Sequence, residues 1–189
     1  MCYDYLKLES ILPKKIQSTR SRPNASGVDK DFCDRTGKGY DGVYKEIVYA
    51  SNGKRKKCID IGIKAQSITF GQVKQLFKKN AQYQEAKANT LYPEVYKELK
   101  NMINTLYPDF KYDSITLNHN LKCIEHLDKY NTSPSIIVGF GKYWGGELVI
   151  EGTPFDIRYK PYCFNGSFLK HYTNEFMGDR WSAIFFCKQ

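Results

Sequence analysis

The sequence predicts an α+β fold in which helices and a hairpin precede a C-terminal half built as a β-sandwich or jelly roll. Three patterns carry that prediction. Asn52-Gly53 sits between two strand-like runs, a strong hairpin signal. Apolar residues at helical spacing end near residue 106. From Ser114 onward short strand-like runs follow one another, separated by turn residues.

The elements follow in chain order. Residues 17–42 are rich in Gly, Ser, Asp, Arg and Lys and lack periodicity, so they read as a long loop. "VYKEIVYA" and "KKCIDIGIKA" are the two hairpin strands, with the basic run Lys54-Arg55-Lys56-Lys57 placed at the tip. A first helix is predicted over roughly Gly71 to Lys87. A second follows, with Pro93 in its first turn and Val95, Leu99, Met102, Ile103 and Leu106 along one face. The runs "SITLNHNLKCIEH", "SPSIIVGFG", "GELVIEG", "FDIRYK", "LKHYT" and "RWSAIFFCK" are then read as strands. Their turns fall at Asn131-Thr132, Gly145-Gly146, Gly152-Thr153-Pro154 and Asn165-Gly166.

A chain of 189 residues suits one domain over 1–189, divided into a basic part (1–113) and a β-core (114–189). A hydrophobic content of 41% supports a folded core rather than a disordered chain. No apolar run approaches the roughly 18 residues that cross a bilayer, and the N-terminus lacks the order of a secretory signal. The expectation is a soluble, intracellular monomer. The six cysteines are widely spaced without a C-x-x-C pair, and they read as reduced, mostly core residues. Residues 1–100 carry 20 Lys/Arg against 11 Asp/Glu, whereas residues 101–189 carry nine of each. The whole excess of +9 therefore lies in the first half. That asymmetry fits a polyanion-binding face; a solvated basic surface is the simpler alternative.

Chemistry concentrates in the second half. His126 and Asp128 are one residue apart on a predicted strand, which puts them on one face. His171 lies on another predicted strand. Two imidazoles and one carboxylate form a facial triad that leaves three positions open on Fe(II), two for a bidentate 2-oxoglutarate and one for O2. His-x-Asp alone is common by chance. Arg180, however, follows His171 by nine residues and shares a strand face with Ser182. A guanidinium on an apolar strand needs an anion, and a cosubstrate carboxylate would supply one.

With these residues in place, "NHNLKCIEHLDKYNTSPSIIVGFGKYWGGEL … FNGSFLKHYTNEFMGDRWSAIFF" resembles the 2-oxoglutarate/Fe(II)-dependent dioxygenases over about residues 114–189. The resemblance implies a double-stranded β-helix (jelly-roll) core. It implies His126, Asp128 and His171 as catalytic iron ligands, with Arg180 and Ser182 binding the C5 carboxylate of 2-oxoglutarate. It also points to hydroxylation, because halogenating relatives have a small residue where Asp128 stands. Asn118 and Asn120 are candidates for the C1 end of 2-oxoglutarate, and His119, out of phase, reads as packing. Fe(II), 2-oxoglutarate and O2 are the implied cofactors and cosubstrates, with ascorbate as a stimulant.

Within the superfamily, the H-x-D-x-x-N of His126, Asp128 and Asn131 and the closing "RWSAIFF" look most like the TET/JBP-type base dioxygenases. The implied reaction hydroxylates a methyl group of 5-methylcytosine or thymine in DNA and releases succinate and CO2. Asn131 is then the substrate-binding candidate; its alternative is a turn residue in a left-handed conformation. The basic half would hold phosphates, through Arg20, Arg22, Lys54–Lys57, Lys74, Lys78 and Lys79. Tyr40 and Tyr44 could stack on bases, and 17–42 would close over the substrate. The cysteine-rich, zinc-binding region of the large animal enzymes is absent here. Prolyl hydroxylases share the nine-residue His-to-Arg spacing, so a protein or small-molecule hydroxylase is the rival reading. A non-catalytic nucleic-acid-binding module on the same fold is a third.

Overall fold

The computed structural model describes residues 2–14, 16, 45–49, 55–60, 66–74 and 82–188. The loop at 17–42, the Asn52-Gly53 turn and the side chains of the hairpin lysines lie outside the described residues, as do Lys78 and Lys79.

Asp4 caps the first helix, α1 (Tyr5–Ile11), by accepting the Leu6 N–H at 3.0 Å, and α1 buries Leu8. The expected hairpin forms from β1 (Lys45–Tyr49) and β2 (Arg55–Asp60), paired antiparallel. Arg55, Lys56 and Lys57 belong to β2 itself rather than to a tip.

The helix expected over Gly71 to Lys87 is corrected. The two ends of that span belong to β3 (Gln66–Lys74) and to the short β4 (Tyr83–Glu85), residues 75–81 lie outside the described residues, and a helix, α2, spans Lys87–Leu91. The reason is period two. Ile68 and Phe70 are fully buried on one face, while Ser67 and Thr69 face the opposite side. Gly71 adopts φ +81, where an added Cβ would meet the Asp113 carbonyl oxygen at 2.2 Å. Only glycine permits that approach.

The second expected helix is α3 (Pro93–Leu106), with proline in its first turn. Its stripe Val95, Leu99, Met102 and Ile103 is buried, and Leu106 packs against the same core. Glu98 is buried among them and satisfied three times: by Lys7 at 2.8 Å, by the Tyr3 hydroxyl at 2.8 Å and by Asn101 at 2.9 Å. Lys7 and Tyr3 lie in and beside α1, so this carboxylate fastens α1 to α3.

The remaining strands are β5 (Ser114–His119), β6 (Ser135–Gly145), β7 (Leu148–Ile150), β8 (Thr153–Phe155), β9 (Tyr162–Phe164), β10 (His171–Thr173) and β11 (Phe176–Phe186). One sheet has the order β4-β3-β5-β11-β6-β9 and the other β10-β7-β8. A bridge between His126 and His171 extends the smaller sheet on the β10 side. Counting that bridge as the second of eight core segments, the two sheets read 1-8-3-6 and 2-7-4-5. This is a jelly roll, in which the chain crosses repeatedly between two antiparallel sheets. β3 and β4 widen the larger sheet beyond the eight.

The larger sheet divides its two faces by alternation. Ile115, Leu117, Val138, Phe140, Trp181, Ala183 and Phe185 pack on the core beneath the helices. Ile137, Leu148, Ile150, Ile157 and Phe164 fill the space between the sheets.

Two strand readings are cut short by turns. β5 stops at His119 because Asn120 turns left-handed at φ 50, so neither His126 nor Asp128 lies on a regular strand. "FDIRYK" gives up all but Phe155 to a turn in which the Asp156 carboxylate accepts the Arg158 N–H. The turn expected at Gly152-Thr153-Pro154 moves to Glu151 and Gly152, both at positive φ, because Thr153 and Pro154 pair with β7. The cysteines Cys2, Cys123, Cys163 and Cys187 are reduced thiols, as expected, but none of these four is in the core. They sit near a terminus, in loops or at a sheet edge, where packing does not recruit them. Among the described residues no helix is long and apolar enough to cross a membrane.

Candidate functional site

The smaller sheet assembles the three expected metal-ligating residues. His171 on β10 pairs with Ile150 of β7 on one side and bridges His126 on the other. The two histidines exchange backbone hydrogen bonds of 3.0 and 3.1 Å, which fixes both Cα atoms. Each ring is then oriented by the carbonyl two residues earlier. His126 Nδ1 lies 2.7 Å from the Ile124 oxygen and His171 Nδ1 lies 2.9 Å from the Leu169 oxygen. A carbonyl only accepts, so both Nδ1 atoms carry a proton, and Nε2 is the nitrogen that each ring in its neutral form would offer to a metal.

The two Nε2 atoms face Asp128. His126 Nε2 is 3.8 Å from one carboxylate oxygen and His171 Nε2 is 3.5 Å from the other. One ligand atom from each residue falls within 4.8 Å of the others. The Asp128 N–H donates to the Gly166 oxygen at 2.8 Å, tying its loop to the turn before β10. Gly166 is pressed against the cluster: a Cβ there would lie 3.1 Å from His171 Cε1 and 3.2 Å from Asp128 Oδ2. Burial works against charge on His171, but the Asp128 carboxylate and the Leu169 carbonyl outweigh it and raise its pKa.

The triad opens onto a cavity of about 310 Å³ between the sheets, lined also by Asn118, Asn131, Arg180 and Ser182. Arg180 is 2% exposed. Its Nε and one terminal nitrogen donate to the Gly146 oxygen at 3.3 and 3.0 Å, and its guanidinium lies over the rings of Tyr143 and Phe176. Among the described residues no carboxylate forms a salt bridge with it. Burial lowers its pKa, so the charge is held at a cost. A guanidinium has five N–H donors and Gly146 takes two, leaving donors for an anion. Ser182 pairs in register with Asn118 on one side and Gly139 on the other, and the Asn118 Oδ1 is buried without a hydrogen-bond partner.

Asn120 departs from the expectation. Its Oδ1 accepts the Arg180 N–H at 2.8 Å, its own N–H donates to the Arg180 oxygen at 2.8 Å, and it does not line the cavity. The left-handed turn carries its side chain off the inner face and onto the β11 backbone. His119 packs as expected, stacked on Trp181 with ring centroids 3.9 Å apart and 2.5 Å from an Asp179 oxygen. Asn131 is not left-handed; its Nδ2 donates to the Ser135 hydroxyl at 3.2 Å from the cavity wall.

Several lining residues were not anticipated: Ser67 and Thr69 from β3, Thr116 from β5, and Lys188. Thr69 and Thr116 place their hydroxyls 3.3 Å apart across the strands. The alternation Ser67-Ile68-Thr69-Phe70 carries the signal that would have found the first two. Tyr143 was also missed. Its hydroxyl lies where a Cβ on Gly139 would come to 2.3 Å, so Gly139 leaves room for the ring that lies against Arg180.

No protein-family model matches this chain, and no curated protein matches it. Among solved structures it is similar to NgTET1 in complex with 5mC DNA, with a TM-score of 0.46 at 14% identity, covering 65% of this chain and 61% of that one. It is similar to OsALKBH1, with a TM-score of 0.42 at 11% identity, covering 65% and 78%. It is also similar to an oxidoreductase of the 2OG-Fe(II) oxygenase family from Burkholderia pseudomallei, with a TM-score of 0.40 at 16% identity, covering 65% and 66%. The matched region spans less than two thirds of the NgTET1 chain.

Proposed function

We propose that the protein is a 2-oxoglutarate/Fe(II)-dependent dioxygenase that hydroxylates a methyl group on a nucleic-acid base, 5-methylcytosine or thymine in DNA. The observation that carries this reading is one cavity holding two things: two imidazole Nε2 atoms facing a carboxylate, and a buried arginine that has no carboxylate partner among the described residues.

The residues present fit both groups. Two neutral imidazoles and one carboxylate suit Fe(II) and leave open positions. The buried Arg180 guanidinium has N–H donors left for an anion, as a dicarboxylate site requires. Bound Fe(II) would activate O2 at the expense of 2-oxoglutarate, one oxygen atom entering the substrate C–H bond and the other entering succinate as CO2 leaves.

The chain's own residues bind and orient. His126, Asp128 and His171 would hold the metal, with Nδ1 of each imidazole anchored to its carbonyl. Arg180 and Ser182 would hold the far carboxylate, and Asn118 would stand beside them. Asn120 positions Arg180 through its backbone and touches neither ligand. The base assignment rests on Asn131 in the cavity wall, on the H-x-D-x-x-N pattern and on the basic first half of the chain. Asn131 would meet the polar edge of the base. A paired base cannot reach an enclosed cavity while stacked, so the target would leave the duplex.

Nucleoside mass spectrometry tests this. Protein, Fe(II), ascorbate and 2-oxoglutarate are incubated with duplex DNA containing 5-methylcytosine and thymine. Oxidised methyl groups that are absent with His126→Ala are the expected result. Iron-dependent consumption of 2-oxoglutarate without any oxidised base would move the substrate to a protein or small molecule.

A further inference from the structure

The triad is bracketed by two short turns that are fastened to each other. In the first, the Asn131 N–H donates to the Asp128 oxygen at 2.9 Å. In the second, the Phe168 and Leu169 N–H groups donate to the Asn165 oxygen at 3.2 and 3.0 Å, and the Ser167 hydroxyl donates to Asn165 Oδ1. The bond from the Asp128 N–H to the Gly166 oxygen joins them. Each turn presents one large ring to solvent: Tyr130 is 84% exposed and Phe168 is 79% exposed. Ile124 and Leu169, whose carbonyls orient the two imidazoles, are also exposed.

A free-standing protein has no reason to spend rigid backbone on exposed rings. Apolar groups gathered in this way mark a surface that another molecule covers. Lysines neighbour both rings in sequence: Lys129 directly precedes Tyr130, and Lys170, two residues after Phe168, is ion-paired with Glu125 at 3.3 Å. Rings to receive bases and cations to follow the phosphates are the two components of a groove for unpaired nucleic acid. A substrate drawn out of a duplex leaves unstacked neighbours on either side of it.

We infer that Tyr130 and Phe168 are stacking surfaces for the nucleobases flanking the target, held on the two joined turns that carry Asp128 and precede His171. This rests on the proposal that the substrate is a base in nucleic acid. It adds the residues that hold the strand open.

The test uses the full chain and a methylated duplex carrying 2-aminopurine beside the 5-methylcytosine. Binding of the wild type should change the 2-aminopurine fluorescence as its stacking changes. Tyr130→Ala and Phe168→Ala should each weaken DNA binding by about ten-fold, since stacking of one base on one ring is worth that order. Both should lose the fluorescence change while succinate formation without DNA stays as in the wild type. Tyr130→Phe and Phe168→Tyr should behave as the wild type, because the ring is what is required. Alanine variants that bind and oxidise DNA like the wild type would overturn the inference and leave the proposed function standing. A wild type that neither binds nor oxidises DNA would overturn both. Loss of affinity for a peptide substrate in the alanine variants would assign the rings to a protein partner instead.

Discussion

Arg180 carries its charge to a place where water does not follow, and that charge needs an anion the described protein does not supply. Charge-assisted hydrogen bonds contribute about 1.5–3 kcal/mol each, which is about 10–100-fold in affinity. Arg180→Lys, which keeps a charge but loses the planar fork, should therefore weaken 2-oxoglutarate binding by that factor and leave metal binding intact. Calorimetric titration with each ligand separates the two; equal loss of both would indicate a damaged fold instead. Gly166 makes the complementary test at the metal. A Cβ there would press on His171 and Asp128 at 3.1 and 3.2 Å. Gly166→Ala should lower Fe(II) affinity by about ten-fold, the usual scale for disturbing groups that orient ligands. Unchanged affinity in a metal-competition assay would mean that the turn yields easily. That His126, Asp128, His171, Arg180 and Ser182 share one cavity was legible from residue type and the resemblance over 114–189, although the strand expected to carry His126 and Asp128 does not form there. Asn120 was not, because its role depends on a left-handed turn that reverses the direction of its side chain.

At the scale of elements, the attachment of α1 to α3 depends on one buried acid. Burial alone would raise the pKa of Glu98, but hydrogen bonds from Lys7, Asn101 and Tyr3, with the Lys7 charge, overcome it and leave the pKa below its ordinary 4.5. A carboxyl group with a depressed folded pKa contributes stability that is present above its unfolded pKa. That contribution is lost as pH falls through the folded value. Thermal melts of the wild type should therefore lose stability below about pH 4.5, and Glu98→Gln should be less stable at pH 7 with a flatter acid limb. A variant that tracks the wild type at every pH would show that Glu98 is not the fastening. α3 itself was readable, since Pro93 and the 3.6-residue stripe act within one segment. β3 was not. Its alternation, Ser67-Ile68-Thr69-Phe70, is short and interrupted by Gly71, and the nine residues are held as a strand by β5 along Gln66–Gly71 and by β4 along Gln72–Lys74. The β5 pairing is a contact between distant parts of the chain. The same pairing brings Ser67 and Thr69 to the cavity, so the missed element and the missed lining residues have one cause.

For the whole molecule, the jelly roll is what turns motif spacing into a site. His126 and Asp128 do not meet His171 by alternation along a strand, as the sequence implied. They meet because the chain crosses from the larger sheet to the smaller after Asn120 and then bridges β10. The order of the strands was suggested by their number and turns, while their pairing is settled only by long-range contacts. The net charge of +9, all of it arising in residues 1–100, acts at this scale too. If that half holds phosphates, the logarithm of DNA affinity should fall linearly with the logarithm of salt concentration. Six contacts would cost about a thousand-fold between roughly 50 and 200 mM salt. A flat salt response by fluorescence anisotropy would remove DNA from consideration. The most direct measurement is succinate released from 2-oxoglutarate under air, with and without Fe(II), by the wild type and by His171→Ala. Iron-dependent succinate from the wild type, abolished in His171→Ala, is the predicted result. No succinate from an iron-loaded wild type supplied with methylated DNA, or equal release by the variant, would contradict it.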